Sequence, residues 1–132
     1  MIIFVSYARR DNGPHALREI EQVVTSLGIP YVDDVHSHDA TDRRAVVERA
    51  LRVAAVFVGV VSPNYLQTPW TRHEFALAVY QGIPVIAFLP NGRLVDSAAV
   101  DWPWRHETAR VRRMSFLQAP ATLLTYSPKS IV

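Results

Sequence analysis

A glutamate four residues after a tryptophan is the first feature of this sequence that could do chemistry. Glu74 follows Pro69 and Trp70 in a segment with the composition of a helix, so it falls in the first turn or two of that helix. There the helix dipole and the free backbone N–H groups favour an ionised carboxyl group, which could stabilise developing positive charge on a substrate. Acidic residues are also common in first turns because they stabilise helices, and the sequence leaves both interpretations open.

Trp70 and Arg9 are also of types that suit ligand binding. Trp70 lies one helical turn before Glu74 and would share its face of the helix, where it could wall a pocket or fill the core. Arg9 and Arg10 follow the first apolar run of the chain. They could hold a phosphate or pyrophosphate, although two arginines in a surface loop are commonly just solvated.

Other chemistries have little support in the sequence. His36, His38 and Asp39 stand in a polar loop with no third or fourth ligand indicated, so we expect no metal site. The chain contains no cysteine, which excludes thiol nucleophiles, disulfides and zinc held by thiolates. It also lacks the glycine-rich loops of Rossmann dinucleotide sites and of P-loop NTPases. We therefore expect no bound cofactor.

Length and composition bound the class of protein. The chain has 132 residues, of which 49% are hydrophobic and 20% charged, so we expect a single folded domain over residues 1–132. A net charge of +2 argues against a dedicated nucleic-acid binder. The opening apolar run, 2–5, is too short for a signal peptide or a membrane span. These features favour a cytoplasmic protein. The basic cluster near the chain's end is interpreted as a solvated face and comprises Arg105, Arg110, Arg112 and Arg113.

Apolar runs alternate along the chain with segments of helical periodicity. Strands are predicted at 2–5, 31–32, 53–61 and 83–89, and helices at 14–27, from a cap at Thr41 or Asp42 onward, and at 70–81. Beyond Pro90 the pattern predicts a short helix near Leu94 and a fifth strand at 122–126. Strands that alternate with helices at this spacing form a parallel sheet with right-handed crossovers.

We therefore predict an α/β domain of the flavodoxin-like, doubly wound class. Its five parallel strands would lie in the order 2-1-3-4-5, with helices on both faces of the sheet. In such a sheet, ligands bind at the switch point, outside the carboxyl ends of strands one and three. This placement gathers Ser6–Asp11, Ser62–Tyr65 and the start of the Glu74 helix, with the loop 33–42 near enough to cover them.

Motifs over residues 1–90 resemble the TIR (Toll/interleukin-1 receptor-like) family, bacterial type. Residues 4–7, Phe-Val-Ser-Tyr, are similar to the family's first box, and 31–33, Tyr-Val-Asp, to the strand that leads into its BB loop. The most specific match is 60–75, where a Ser-Pro-x-aromatic motif is followed by Trp70 and then Glu74. Residues 83–86 resemble the family's fourth strand. The chain departs from the family at Thr71, where Cys is usual, and in the loop 34–42, which lacks Pro-Gly.

The resemblance implies an enzyme that cleaves the nicotinamide–ribose bond of NAD⁺ with Glu74 as its essential residue. NAD⁺ would be the substrate, and the product would be ADP-ribose or a cyclic ADP-ribose isomer. Because nicotinamide in NAD⁺ is already a cationic leaving group, one carboxylate that stabilises an oxocarbenium-like centre is sufficient. Arg9 would hold the pyrophosphate and Trp70 would support the pocket. The residues expected to bind substrate are Ser6, Tyr7, Arg9, Asp33 and Trp70.

Two other functions stay open. The domain could be a module that only assembles with other TIR domains, with Glu74 as a capping residue. It could instead be a nucleoside deoxyribosyltransferase or a nucleotide N-glycosidase, which share this topology. The absent Pro-Gly and the retained Trp70–Glu74 spacing favour NAD⁺ cleavage. The expected partners are NAD⁺, other TIR domains, and an upstream sensor or downstream effector in bacterial signalling or antiphage defence; neither nucleic acid nor a membrane is expected.

Overall fold

The computed structural model describes residues 1–32, 40–101 and 104–117, with side chains for all of these except 40–43 and 114–117. Several predictions fall elsewhere in the chain. The loop after the second strand, which holds Asp33, His36, His38 and Asp39, lies outside the described residues, as does the strand expected at 122–126.

Five strands form one sheet in the order β2-β1-β3-β4-β5, which confirms the predicted order. The first four pair in parallel. In the pairing of β1 with β3, Ser6 lies beside Gly59, and this register matters for the site. The strands are β1 (Ile2–Ser6), β2 (Ile29–Val32), β3 (Val56–Val60), β4 (Val85–Phe88) and β5 (Leu94–Asp96).

The fifth strand of the sheet was predicted at 122–126 and parallel, but β5 lies earlier in the chain and runs antiparallel to β4. A short helix was expected near Leu94, whereas this residue begins a strand that pairs antiparallel with β4. The cause is a tight turn between the two strands. Gly92 has a φ of 84°, a left-handed conformation that favours glycine, and its N–H donates to the Leu89 carbonyl at 2.8 Å. An Asn-Gly pair such as Asn91-Gly92 is a signal for a hairpin, which joins antiparallel strands.

The helices are α1 (Pro14–Thr25), α2 (Ala40–Val53), α3 (Pro69–Gln81) and α4 (Trp104–Leu117), with 3-10 turns at Arg9–Asp11 and Ser97–Ala99. The prediction for α3 is confirmed within one residue. Its first residue is a proline, which suits a helix start, and Gly82 ends it in the left-handed conformation. The prediction that Thr41 or Asp42 caps α2 is wrong, because α2 begins at Ala40 and a cap precedes the first helical residue.

The sheet is covered by helices on both faces. Side chains alternate along each strand, so Ile3 and Val5 pack with Ile20 and Val24 of α1, whereas Phe4 faces the other way. On that second face the core is built with α2, α3 and α4. This is the flavodoxin-like α/β fold that the sequence predicts. Ser6 has the same parity as Phe4, and it therefore points toward α3, the helix that carries Glu74. In the part of the chain that is described, no helix has the length and hydropathy needed to cross a membrane.

Candidate functional site

Glu74 lies where β1 ends against α3. It is the sixth residue of a helix that begins at Pro69, and only 3% of it is exposed. Its Oε1 accepts a hydrogen bond of 2.8 Å from the hydroxyl of Ser6, the last residue of β1. The first turn of α3 contains no acidic residue, so Glu74 lies in the second turn, where the Ser6 hydroxyl reaches it. The sequence analysis predicted that these two residues meet at the switch point, and the contact confirms that placement.

A second hydroxyl continues the hydrogen-bond chain. The Tyr65 hydroxyl donates to Ser6 Oγ at 2.8 Å, and Tyr65 is fully buried. Burial raises the pKa of Tyr65 well above 10, and the negative charge of Glu74 raises it further, while the hydrogen bond to Ser6 opposes both. Tyr65 therefore stays a protonated donor. The sequence analysis placed Tyr65 at the switch point but gave it no role, although the aromatic position of its Ser-Pro-x-aromatic motif marks it.

Three neighbours hold the Tyr65 ring. It stacks on Trp104 with ring centroids 4.8 Å apart and meets the edge of Phe75 at 6.4 Å. Gly59 leaves the space that the ring tip occupies, because a Cβ at this position would stand 3.1 Å from the Tyr65 hydroxyl oxygen and 2.9 Å from Trp104. A glycine inside a strand permits such a close approach. The hydroxyl chain thus depends on β3 and α4 as well as on β1 and α3.

The other residues expected to bind substrate are spread around this point. Trp70 is buried on α3, with its ring 6.0 Å from that of His73. Tyr7 is half-buried and packs with the core on the α1 face, opposite to the face that holds Glu74. Arg9 is exposed in the 3-10 turn after β1. Asp33 lies outside the described residues. The structure therefore joins Ser6 to Glu74, but it does not bring Tyr7 onto the same face.

An aspartate ties together the two loops at the switch point. Asp11 accepts hydrogen bonds from the backbone N–H of Asn64 at 2.8 Å and from its side-chain amide at 2.7 Å. Burial acts to raise the pKa of Asp11, but the Ser62 hydroxyl, Asn64 and the charge of Arg10 together lower it below its usual value. The ionised carboxylate therefore fixes the loop after β1 to the loop after β3. Sequence reasoning missed this contact, which joins residues far apart in the chain.

A cleft of about 930 Å³ opens beyond the ends of β3 and β4. Its lining is mostly apolar and includes Ile20, Val60, Leu66, Phe88 and Trp104. Glu74 and Ser6 do not line it. The buried Glu74 carboxyl group and the open cleft are thus separate features. We base the assignment of chemistry on Glu74, because it lies nearly fully buried at the switch point, against the end of β1.

The prediction that the arginine cluster is a solvated face is wrong for Arg110. Arg110 is half-buried and its guanidinium donates to both oxygens of Glu107, at 3.2 and 2.6 Å. Arg72 of α3 donates to the same two oxygens, at 3.0 and 3.2 Å. Burial acts to raise the pKa of Glu107, but the hydrogen bonds and charges of both arginines lower it. Arg112 and Arg113 are exposed as expected. The buried carboxylate fastens α4 to α3.

Metal-binding residues are not grouped in the described part of the chain, where no three histidine or acidic side chains are placed to share an ion. The candidates His36, His38 and Asp39 lie outside it.

The class of protein follows from these features: a flavodoxin-like α/β domain with an oriented carboxyl group at the carboxyl end of its central strands. A family model described as TIR domain matches residues 3–127. Because this match spans most of the 132 residues, the chain belongs to the TIR domain family. Comparisons with curated proteins and with solved structures gave no match.

Proposed function

We propose that this TIR domain cleaves the nicotinamide–ribose bond of NAD⁺, with Glu74 as its catalytic residue and ADP-ribose or a cyclic ADP-ribose isomer as product. The observation that carries the proposal is the Glu74 carboxyl group, which is 3% exposed, lies at the switch point of the sheet and accepts the Ser6 hydroxyl at 2.8 Å. Ligands bind at the switch point in sheets of this class.

The chemistry needs little beyond one carboxylate. When the bond between ribose C1′ and nicotinamide breaks, the electron pair leaves with nicotinamide, which becomes neutral without a proton. Positive charge then develops on the ribosyl group, and a fixed negative charge in a poorly solvated place stabilises it strongly. Attack by water at C1′, with loss of a proton to solvent, gives ADP-ribose. Attack at C1′ by an adenine or ribose atom of the same molecule, also with loss of a proton to solvent, gives a cyclic isomer. Ser6 holds one carboxylate oxygen in place during these steps.

Burial of Glu74 sets a condition on the reaction. A carboxyl group of a residue that is 3% exposed meets ribose only after its surroundings open. Self-assembly with other TIR domains is therefore part of the proposal, because a neighbouring domain can reshape the edge of the site. We place the reaction in bacterial signalling or antiphage defence, with an upstream sensor or a downstream effector as partner. This context rests on the resemblance to bacterial TIR domains.

The test is nicotinamide release from NAD⁺ at high protein concentration or with a crowding agent. We expect release by the wild type and a loss of at least about 100-fold in Glu74→Gln. Glu21→Gln is the matched control, because Glu21 lies on α1 at the opposite face of the sheet. It should release nicotinamide at the wild-type rate. Equal release by Glu74→Gln and the wild type would contradict the catalytic assignment.

Nucleosides and nucleoside monophosphates, assayed beside NAD⁺, separate the alternative functions. Cleavage of these compounds alone would replace the proposal with a deoxyribosyltransferase or N-glycosidase activity. If the wild type leaves all of them and NAD⁺ intact under assembling conditions, the domain acts as a TIR–TIR interaction module.

A further inference from the structure

We infer that Tyr65 is a positioning residue, which holds the Glu74 carboxylate in its reactive orientation by acting through Ser6. The three groups form one line of contacts, from the Tyr65 hydroxyl to Ser6 Oγ at 2.8 Å and from Ser6 Oγ to Glu74 Oε1 at 2.8 Å. The effect on catalysis rests on the proposed function, whereas the effect on the carboxyl group does not.

The direction of this line is fixed by the chemistry of its members. Ser6 donates its single proton to Glu74 Oε1, the direction that an ionised carboxylate requires because it can only accept. Ser6 then has only lone pairs to offer Tyr65, and the phenol donates to it. A hydroxyl that accepts one hydrogen bond becomes a stronger donor in the next. Tyr65 therefore stabilises the ionised form of Glu74 without touching it.

The surroundings of Tyr65 separate the role of its hydroxyl from that of its ring. Trp104 and Phe75 contact the ring, and a phenylalanine would keep both contacts. The hydroxyl itself is fully buried, and burial of a hydroxyl among apolar groups is unfavourable unless it is hydrogen-bonded. Packing alone would be served at least as well by phenylalanine. The hydroxyl is therefore explained by its bond to Ser6, and Gly59 provides the space that the bond needs.

The experiment compares Tyr65→Phe with Tyr80→Phe, a matched loss of one phenol hydroxyl from a half-buried position near the end of α3. In Tyr65→Phe we expect kcat for nicotinamide release to fall about three- to tenfold with KM unchanged, the size expected for one hydrogen bond. The midpoint of the Glu74 carboxyl titration, followed by ¹³C NMR of the free protein, should move to higher pH. Tyr80→Phe should change none of these.

A double-mutant cycle tests whether Tyr65 acts through Ser6. Ser6→Ala should raise the Glu74 midpoint more than Tyr65→Phe does, and adding Tyr65→Phe to Ser6→Ala should cause no further change. A Tyr65→Phe effect that persists undiminished in Ser6→Ala would overturn the inference, since it would act through packing. An unmoved Glu74 midpoint in Tyr65→Phe would overturn it as well. If the wild type releases no nicotinamide, the proposed function fails, and the NMR midpoints still decide the inference.

Discussion

His73 and Glu74 are neighbours on α3 and are both almost fully buried, but they differ in their hydrogen bonding. The Glu74 carboxyl group accepts the Ser6 hydroxyl, whereas neither ring nitrogen of His73 makes a hydrogen bond to a residue that the structure describes. Burial, the largest cause, and the charge of Arg44 together lower the pKa of His73 from 6.5 to about 4, against the opposing charge of Glu48. The imidazole is therefore neutral at pH 7.

A stability change with pH follows from this shift. Between pH 6.5 and about 4 the unfolded chain binds a proton at His73 that the folded chain does not, so folded stability falls as pH is lowered through this range. We expect His73→Leu to lose less of its free energy of unfolding between pH 7 and 5 than the wild type does, by about 1–2 kcal/mol. Urea unfolding at the two pH values measures this. His106→Leu, at an exposed site on α4, is the control, and an equal loss in His73→Leu and the wild type would contradict the prediction.

At the scale of elements, the pairing of β1 with β3 decides how α4 and the β3–α3 loop meet the site. Gly59 lies beside Ser6, and the rings of Trp104 and Tyr65 occupy the space over it. We expect Gly59→Ala to destabilise the domain by about 1–3 kcal/mol, because the added Cβ would stand 2.9 Å from Trp104. It should also weaken the hydrogen bond from Tyr65 to Ser6 and raise the Glu74 titration midpoint.

Gly13→Ala is the comparison for this variant. No atom lies within 4 Å of a Cβ at Gly13, so its cost should stay below about 1 kcal/mol, the range of a changed N-cap. Chemical denaturation and the NMR titration of Glu74 measure both variants. Equal stabilities, or a Glu74 midpoint that Gly59→Ala leaves in place, would show that the strand tolerates the extra methyl group.

The same scale shows what could be predicted from the sequence. Helix α3 followed from its apolar spacing and from Gly82, and the order of the strands followed from their alternation with helices. β5 was missed because its prediction followed apolar content, whereas the hairpin depends on the Asn91-Gly92 turn. Glu74 could be located by the switch point alone. The role of Tyr65 could not, since it depends on the strand register that sets Gly59 beside Ser6.

At the scale of the whole molecule, the site depends on a contact between two helices. α4 supplies Trp104, on which the Tyr65 ring stacks, and the same helix is fastened to α3 through Glu107. Arg72 and Arg110 each donate to both oxygens of this carboxylate. Only 7% of the Glu107 side chain is exposed. Both arginine side chains are about one-third exposed, so solvent weakens the interaction relative to a fully buried pair.

Because the pKa of Glu107 is shifted, the contribution of this contact to folded stability depends on pH. Its pKa is lowered from 4.5, so the stabilisation is present above pH 4.5 and is lost as pH falls through the lowered pKa. We expect Glu107→Gln to reduce the free energy of unfolding at pH 7 by about 1–3 kcal/mol, because two arginines lose their shared anion. At pH 3 the variant and the wild type should differ much less.

Glu21→Gln, which changes a glutamate on α1, should match the wild type at both pH values. Urea unfolding at pH 7 and 3 decides the matter: a stability difference of the same size at both would mean that Glu107 acts by packing and not by its charge.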